Sequence, residues 1–378
     1  MWHTDAVDLE RAMQLEVKSH AGRRMGWLRP PTAPYGKPLM VCPLDFLYAA
    51  SRTAATGTAM SVQSVVASMS LGASAMAYLE PRPALAAGRP HKLHLNPAFG
   101  HAKDFVGTAV KGVIGASLAY LEMQGLGYAW HGHFEDCVTT AVSGRRPDFV
   151  FASSTEICLV DAKGSSASMR DLAKHVKDEW REQIKPCLGV KLASSVTPTE
   201  GRIIGARLSA TGAAELVTAY GRSFPAGSAA AAAVPIKTTI AAFNGREAGV
   251  AAVQRANYFG ASLFLGFQDL ADALNPRADS GSAVLAALTY RDRGNVRRFG
   301  RSYVHWLADG SAWQLDSYIR GEVLRAVINK FIRNQQVAIP MNAQVDDAEL
   351  RSDEIIIESR DGVGVRCTLL PGTPSELN

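Results

Sequence analysis

The sequence predicts an α/β protein, with a mixed central sheet flanked by helices, a helical N-terminal region and an α+β C-terminal domain. Three observations carry this. Phe149 to Phe151 and Ile157 to Val160 are short runs rich in aromatic and β-branched residues, the pattern of paired strands. A helical segment, Phe105 to Gln124, precedes them and another, Met169 to Lys185, follows, so that helix, strands, helix and strand alternate. Past residue 234, strand-like and helix-like segments alternate with good turns. With 378 residues and 47% apolar content, the chain is long enough for two or three domains with buried cores.

Taken in order, Asp5 to Lys18 reads as a helix, followed by an irregular basic segment, Arg23 to Pro31, where prolines end regular structure. The arginines around Trp27 suit a nucleic-acid backbone, but a packed indole with solvated arginines is the simpler account. Residues 42–80 are helical in composition, and Val62, Val65, Val66 and Met69 fall on one helix face, a packing stripe. Pro81 to Phe99 reads as a Pro/Gly-rich connector, which places a boundary near residue 100. His131 and His133 alternate as in a strand, and satisfied strand histidines explain them better than substrate contacts do. Leu188 to Val196 and Arg202 to Leu208 read as further strands, and the alanine tract at 226–233 as a soft boundary. Beyond it come a helix over Ala252 to Leu274 and strands over Val284 to Tyr290, Ser302 to Leu307 and Trp313 to Tyr318. An amphipathic helix over Gly321 to Arg333 follows, then a hairpin of Glu354 to Glu358 and Val363 to Leu369 turning at Asp361-Gly362. The expected division is 1–100, 101–225 and 234–378.

Composition narrows the class. The five cysteines are scattered, odd in number and without CxxC or Cys/His spacing, which argues against a zinc site or disulfide framework and for a reducing compartment. Acids stand in the first ten residues where a signal peptide would carry positive charge, and no run of about 18 apolar residues occurs. A soluble, cytoplasmic chain with no membrane partner is expected. Forty Lys and Arg against 35 Asp and Glu give a formal charge of +5, which suits a polyanion without demanding one.

The hairpin holds the chemistry. If Ser153 to Glu156 form an even-numbered loop, Ala152 faces Ile157, Val150 faces Leu159, and Asp148 falls opposite Asp161; an odd loop would send Asp148 to the other face. In the even register Asp148, Asp161 and Lys163 share one side, with opposed Cβ atoms about 5 Å apart. Two carboxylates so close call for a positive charge between them, and Mg²⁺ is commonly held by one or two carboxylates plus water. A water beside the Lys163 ammonium could then attack a phosphodiester.

Pro147-Asp148, with Asp161-Ala162-Lys163 thirteen residues further on at the end of an apolar strand, resembles the PD-(D/E)xK nuclease superfamily. The resemblance covers about residues 104–190 and implies a restriction-endonuclease-like core. It implies metal binding by Asp148 and Asp161 and positioning or activation of water by Lys163. Gln183, on the following helix, is similar to the glutamine of RecB-like members. Many members carry a glutamate on the preceding helix, but Val113 to Ser117 hold no acid here. Glu122 is the candidate substitute as third metal ligand. Expected cofactors are Mg²⁺ or alternatively Mn²⁺, and the expected substrate is DNA, with a homodimer or protein partner left open.

Tyr290 to Arg301 concentrates arginines and aromatics, with Arg297, Arg298 and Arg301 the candidate contacts to nucleic acid. The expected activity is a metal-dependent nuclease. The alternative is a nuclease-fold module without chemistry that binds nucleic acid or protein.

Overall fold

The computed structural model describes residues 6–18, 26–27, 34–54, 70–84, 90–138, 144–190, 192, 197–222, 236–275, 290–293, 296–306, 312–342, 349–351 and 354–370. Of these, the residues up to Ala256 form one compact unit and those from Asn257 onward a second.

The first unit is built on a ten-stranded mixed sheet. Its strands are β1 (Val7–Lys18), β2 (Gly26–Trp27), β3 (Leu39–Val41), β4 (Leu79–Arg82), β5 (His91–Leu95), β6 (Trp130–His133), β7 (Phe149–Ala152), β8 (Ile157–Ser165), β9 (Glu200–Arg207) and β10 (Glu215–Arg222). They run in the order β4-β5-β1-β10-β9-β8-β7-β6, with β2 and β3 paired to β1. β1 runs parallel to β10 and β5, and β8 parallel to β9, while β7 and β6 add antiparallel strands to one side. Helices α1 (Pro43–Ala54), α2 (Asp104–Gly125) and α3 (Met169–Glu179) pack about it.

The N-terminal segment expected to be a helix is β1. Val7, Leu9, Met13, Leu15 and Val17 alternate with Asp8, Glu10, Gln14, Glu16 and Lys18, a period of two. Leu9 and Met13 also stand four apart and so mimic a helical stripe. Val7 and Leu9 are fully buried, and a bulge between Arg11 and Met13 lets the strand continue along β10. The expected connector, Pro81 to Phe99, contains all of β5 and the end of β4, and Pro81 lies opposite Leu93 in their pairing. Proline is tolerated there because β4 is an edge strand. Residues 1–100 thus supply strands to the same sheet as residues 101–225.

Other expectations land closer. The helix expected from Phe105 is α2, and the helix from Met169 begins as α3 with Ser168 as its N-cap, accepting the Asp171 N–H at 3.2 Å. Of the strand expected at 188–196, Leu192 makes an isolated bridge to Val138, while 191 and 193–196 lie outside the described residues. The stripe at Val62 to Met69 and the alanine tract at 226–233 also lie outside them. β10 was not anticipated.

Glycines set how closely the helices approach the sheet. A Cβ on Gly164 would stand 1.9 Å from the Lys111 carbonyl oxygen, and one on Gly115 would stand 2.4 Å from the Gly164 nitrogen. Bare backbone therefore meets bare backbone where α2 crosses the end of β8. On the opposite face, a Cβ on Gly205 would come within 3.0 Å of Leu172 and Val176, and one on Gly201 within 2.3 Å of Ile184. Since side chains alternate along β8, Cys158, Val160 and Gly164 belong to the α2 face, and Leu159, Asp161 and Lys163 to the α3 face.

The second unit holds a six-stranded sheet, β11 (Tyr290–Arg293), β12 (Val296–Trp306), β13 (Ala312–Arg320), β14 (Glu349–Arg351), β15 (Glu354–Glu358) and β16 (Val363–Leu370). It is antiparallel throughout, in the order β11-β12-β13-β16-β15-β14. A helix, α4 (Ile236–Leu265), leads into this unit, which also contains α5 (Gln268–Leu274) and α6 (Gly321–Val327). The β15–β16 hairpin turns at Asp361-Gly362 as expected, with Gly362 at φ +74°. The fully buried Asp361 carboxylate accepts hydrogen bonds from Asn257 Nδ2 at 2.9 Å, Val363 N at 3.1 Å and the Ser359 hydroxyl.

Candidate active site

Strands β7 and β8 form the hairpin in the even register. Ser153 Oγ accepts the N–H groups of Thr155 and Glu156 at 3.2 and 3.0 Å, which closes the loop and pairs Ala152 with Ile157, Val150 with Leu159 and Phe149 with Val160. Continued by one residue, this register sets Asp148 opposite Asp161. Asp148, exposed just outside the strand, accepts the Ala162 N–H at 3.0 Å, which ties it to β8.

Asp161 is fully buried. The Lys163 ammonium lies 3.0 Å from its Oδ2, while the hydrogen bond runs to Oδ1 at 3.3 Å and leaves Oδ2 with charge contact but no hydrogen bond. Burial, and then the neighbouring Asp148 charge, push the Asp161 carboxyl well above the usual range, against the opposing pull of Lys163. For Lys163, burial acts to lower the ammonium, but the charges of Asp161, Asp148 and Glu179 prevail and raise it. Lys163 therefore stays cationic beside a carboxylate pair that resists carrying two negative charges.

The helix following β8 brings two more side chains. α3 ends at Glu179 and continues as one π-turn, Trp180–Ile184, before the short helix Lys185–Cys187. Pro186 explains the wide turn: it has no N–H for the ladder, and its ring crowds the preceding carbonyls. The continuous helix expected over Met169 to Lys185 is thus interrupted next to the site, where π-turns often occur. Glu179 and Gln183 are both buried. The Gln183 amide donates to Glu179 Oε2, which lies 4.0 Å from Lys163 Nζ. Gln183 thus reaches the site through Glu179. Sequence reasoning passed over Glu179 as one acid among several on a charged helix; its spacing of four from Gln183 was the available signal.

Asp148, Asp161 and Lys163 are brought together, with Gln183 one side chain behind. Glu122 is not. It is fully buried on α2, the helix on the opposite face, and the Arg11 guanidinium holds it through Nε at 3.0 and 2.9 Å and Nη2 at 2.8 Å. A bidentate partner of this kind commits the carboxylate to an ion pair on the far face of the sheet. His131, also buried on the α2 side, stacks on Phe151 with ring centroids 5.6 Å apart and meets Tyr120 edge-on. Among the described residues, no group of three or more His, Cys, Asp or Glu side chains is arranged to hold a metal ion.

The basic stretch from Tyr290 to Arg301 falls on the antiparallel ribbon β11–β12. The side chains of Arg297, Arg298 and Arg301 lie outside the described residues, but their backbone register is given. Arg298 pairs with Arg291 on one side and Arg320 on the other, whereas Arg297 pairs with Asp292 and Arg301 with Ser317. Arg298 therefore belongs to one face of the sheet, and Arg297 and Arg301 to the other.

No helix among the described residues is long and apolar enough to cross a membrane. Compared with protein-family models, curated proteins and solved structures, the chain matches none of them.

Proposed function

We propose that the first unit is a metal-dependent nuclease with DNA as substrate and a restriction-endonuclease-like core. The observation that carries this is the hairpin register, which gathers Asp148, Asp161 and Lys163 on one face with Asp161 fully buried. A buried carboxylate beside a second carboxylate, the two sharing one ammonium, is a donor set fit for a hard divalent cation. Asp148 and Asp161 would hold Mg²⁺ or Mn²⁺. Such a cation, when bound, supplies charge to phosphoryl oxygens and makes water more acidic.

The chain's own groups do the rest. Asp148, exposed and tied to the Ala162 N–H, leaves the site open to a phosphodiester from the solvent side. Lys163 keeps its proton and presents a positive charge next to the carboxylates, where negative charge develops as the phosphorus is attacked. Asp161, rigid in β8 and sealed from solvent, sets where the other two meet.

Cleavage of supercoiled plasmid, linear duplex, single-stranded DNA and RNA, by wild type and Asp161→Ala with Mg²⁺, Mn²⁺ or EDTA, tests the proposal. Metal-dependent cutting lost in the variant is expected; equal cutting by both proteins would refute this site. A second reading, a nuclease-fold module that binds without cutting, is favoured by one observation: Glu122 is engaged by Arg11 and leaves the pair without a carboxylate from α2. It would show as metal-independent DNA binding with no cleavage of any substrate.

A further inference from the structure

Glu179 lies at a junction. Its side chain is 8% exposed and meets four nitrogen-bearing side chains, divided between its two oxygens. Oε2 takes the inner pair, the Gln183 amide and, at 4.0 Å, the Lys163 ammonium. Oε1 takes the outer pair, Arg145 Nη1 at 3.4 Å and His175 Nε2 at 3.6 Å. Arg145 also reaches Glu182 at 2.7 Å, and Glu182, 54% exposed, has no contact with Lys163. Lys163 is thus bracketed, with Asp161 Oδ2 at 3.0 Å on the strand side and Glu179 on the helix side. The bracket is narrow because Gly205, in register with Lys163, lets α3 approach.

We propose that Glu179 positions Lys163, drawing the ammonium from the side opposite Asp161 so that it remains over the carboxylate pair. A lysine has four rotatable bonds, and with Asp161 as sole partner its head would neutralise the carboxylate it is needed beside. Gln183 and Arg145 orient Glu179 for this purpose; neither touches the carboxylate pair. The proposal rests on the hydrolytic reading of Asp148, Asp161 and Lys163.

The test is a double-mutant cycle of wild type, Glu179→Gln, Lys163→Met and the double variant, with Glu179→Asp and Glu182→Gln alongside. DNA cleavage is followed with enzyme in excess, so that slow variants remain measurable, and denaturant stability is followed in EDTA without DNA. Expected are a fall in the cleavage rate constant of about 10- to 100-fold in Glu179→Gln with DNA affinity unchanged, since small misplacements cost that much. Partial recovery is expected in Glu179→Asp, no change in Glu182→Gln, and no further loss when Glu179→Gln is added to Lys163→Met. An equal fall in the Lys163→Met background would overturn the proposal, because Glu179 would then act independently. So would an equal loss in Glu182→Gln, which would place the effect on Arg145. The stability cycle separates the two layers. Zero coupling between positions 163 and 179 rejects the positioning itself, whereas measurable coupling in a protein that cuts nothing rejects the hydrolytic reading and the catalytic purpose with it.

Discussion

The two faces of the first unit's sheet both bury carboxylates, and they balance them in opposite ways. On the α2 face, Glu122 receives the whole fork of Arg11, and Glu200 is paired with Arg202, which also lies over the Tyr220 ring at 5.4 Å. Each acid has its own guanidinium. On the α3 face, Asp148, Asp161 and Glu179 gather about one ammonium, that of Lys163, with Arg145 reaching in from a largely exposed position. A matched buried pair costs desolvation and recovers it through attraction, so it serves the fold. An excess of carboxylate over positive charge leaves part of that cost unrecovered until a further cation arrives. The α3 face is therefore where binding is to be sought, although the α2 face carries as many buried charges.

The largest effect on this contrast should come from the frame both faces share. Gly164→Ala places a methyl 1.9 Å from the Lys111 carbonyl oxygen, with backbone on either side. Several kcal/mol of stability, about 3 or more, should be lost, because no rotamer relieves the clash. A denaturant midpoint close to wild type would show that α2 does not lie as close as described. Next come substitutions that should act with opposite signs on the two faces. Glu122→Gln strands the Arg11 charge and should destabilise the protein by about 3 kcal/mol. Asp161→Asn, measured in EDTA at neutral pH, should stabilise it by about 1 kcal/mol, because a neutral amide replaces a buried carboxylate short of positive partners. Equal destabilisation by both would abolish the distinction between the faces.

The pH dependence sharpens it further. Asp161 has a carboxyl raised in the folded state by burial and by Asp148, so the folded protein holds a proton that the unfolded chain has released. The Asp161 contribution to metal-free stability is therefore fully present at acid pH and is lost as pH rises above the usual carboxylate range through the raised value. Asp161→Asn should flatten that fall. Added Mg²⁺ should stabilise the wild type more as pH rises, since binding displaces the proton. Melting curves across pH with EDTA or Mg²⁺ would show it, and a Mg²⁺ effect independent of pH would count against the carboxylate pair as the binding group. The smallest expected effect lies in the second unit. Arg297→Glu and Arg298→Glu, made together in the ribbon, should weaken DNA binding and flatten its salt dependence. Unchanged binding at several salt concentrations would rule the ribbon out as a nucleic-acid contact.

Legibility was greatest where the physics is local. The hairpin could be read because polar loop residues and apolar runs specify its register, and the register alone sets Asp148 against Asp161. α2 and the start of α3 follow from periodicity and a serine cap. β1 was missed because Leu9 and Met13 satisfy helical and extended patterns equally well, and its burial between β10, β3 and β5 depends on strands up to two hundred residues away. Glu122 stands out in the sequence because it is an acid on the helix before the hairpin. Which face that helix covers is set by Gly115 meeting Gly164, a contact with no trace in the local sequence. Glu179 is hidden for a related reason, since a surface-like helix charge becomes a buried partner of Lys163 only when Gly205 lets α3, and Gly201 the π-turn after it, settle on β9.

By itself, then, the sequence determined the carboxylate pair and its lysine, because strand period and loop length are properties of neighbouring residues. Only the tertiary structure decided which further acids join them, because close packing of helix on sheet sorts acids that look alike in sequence into those matched by arginine and those left short of positive charge.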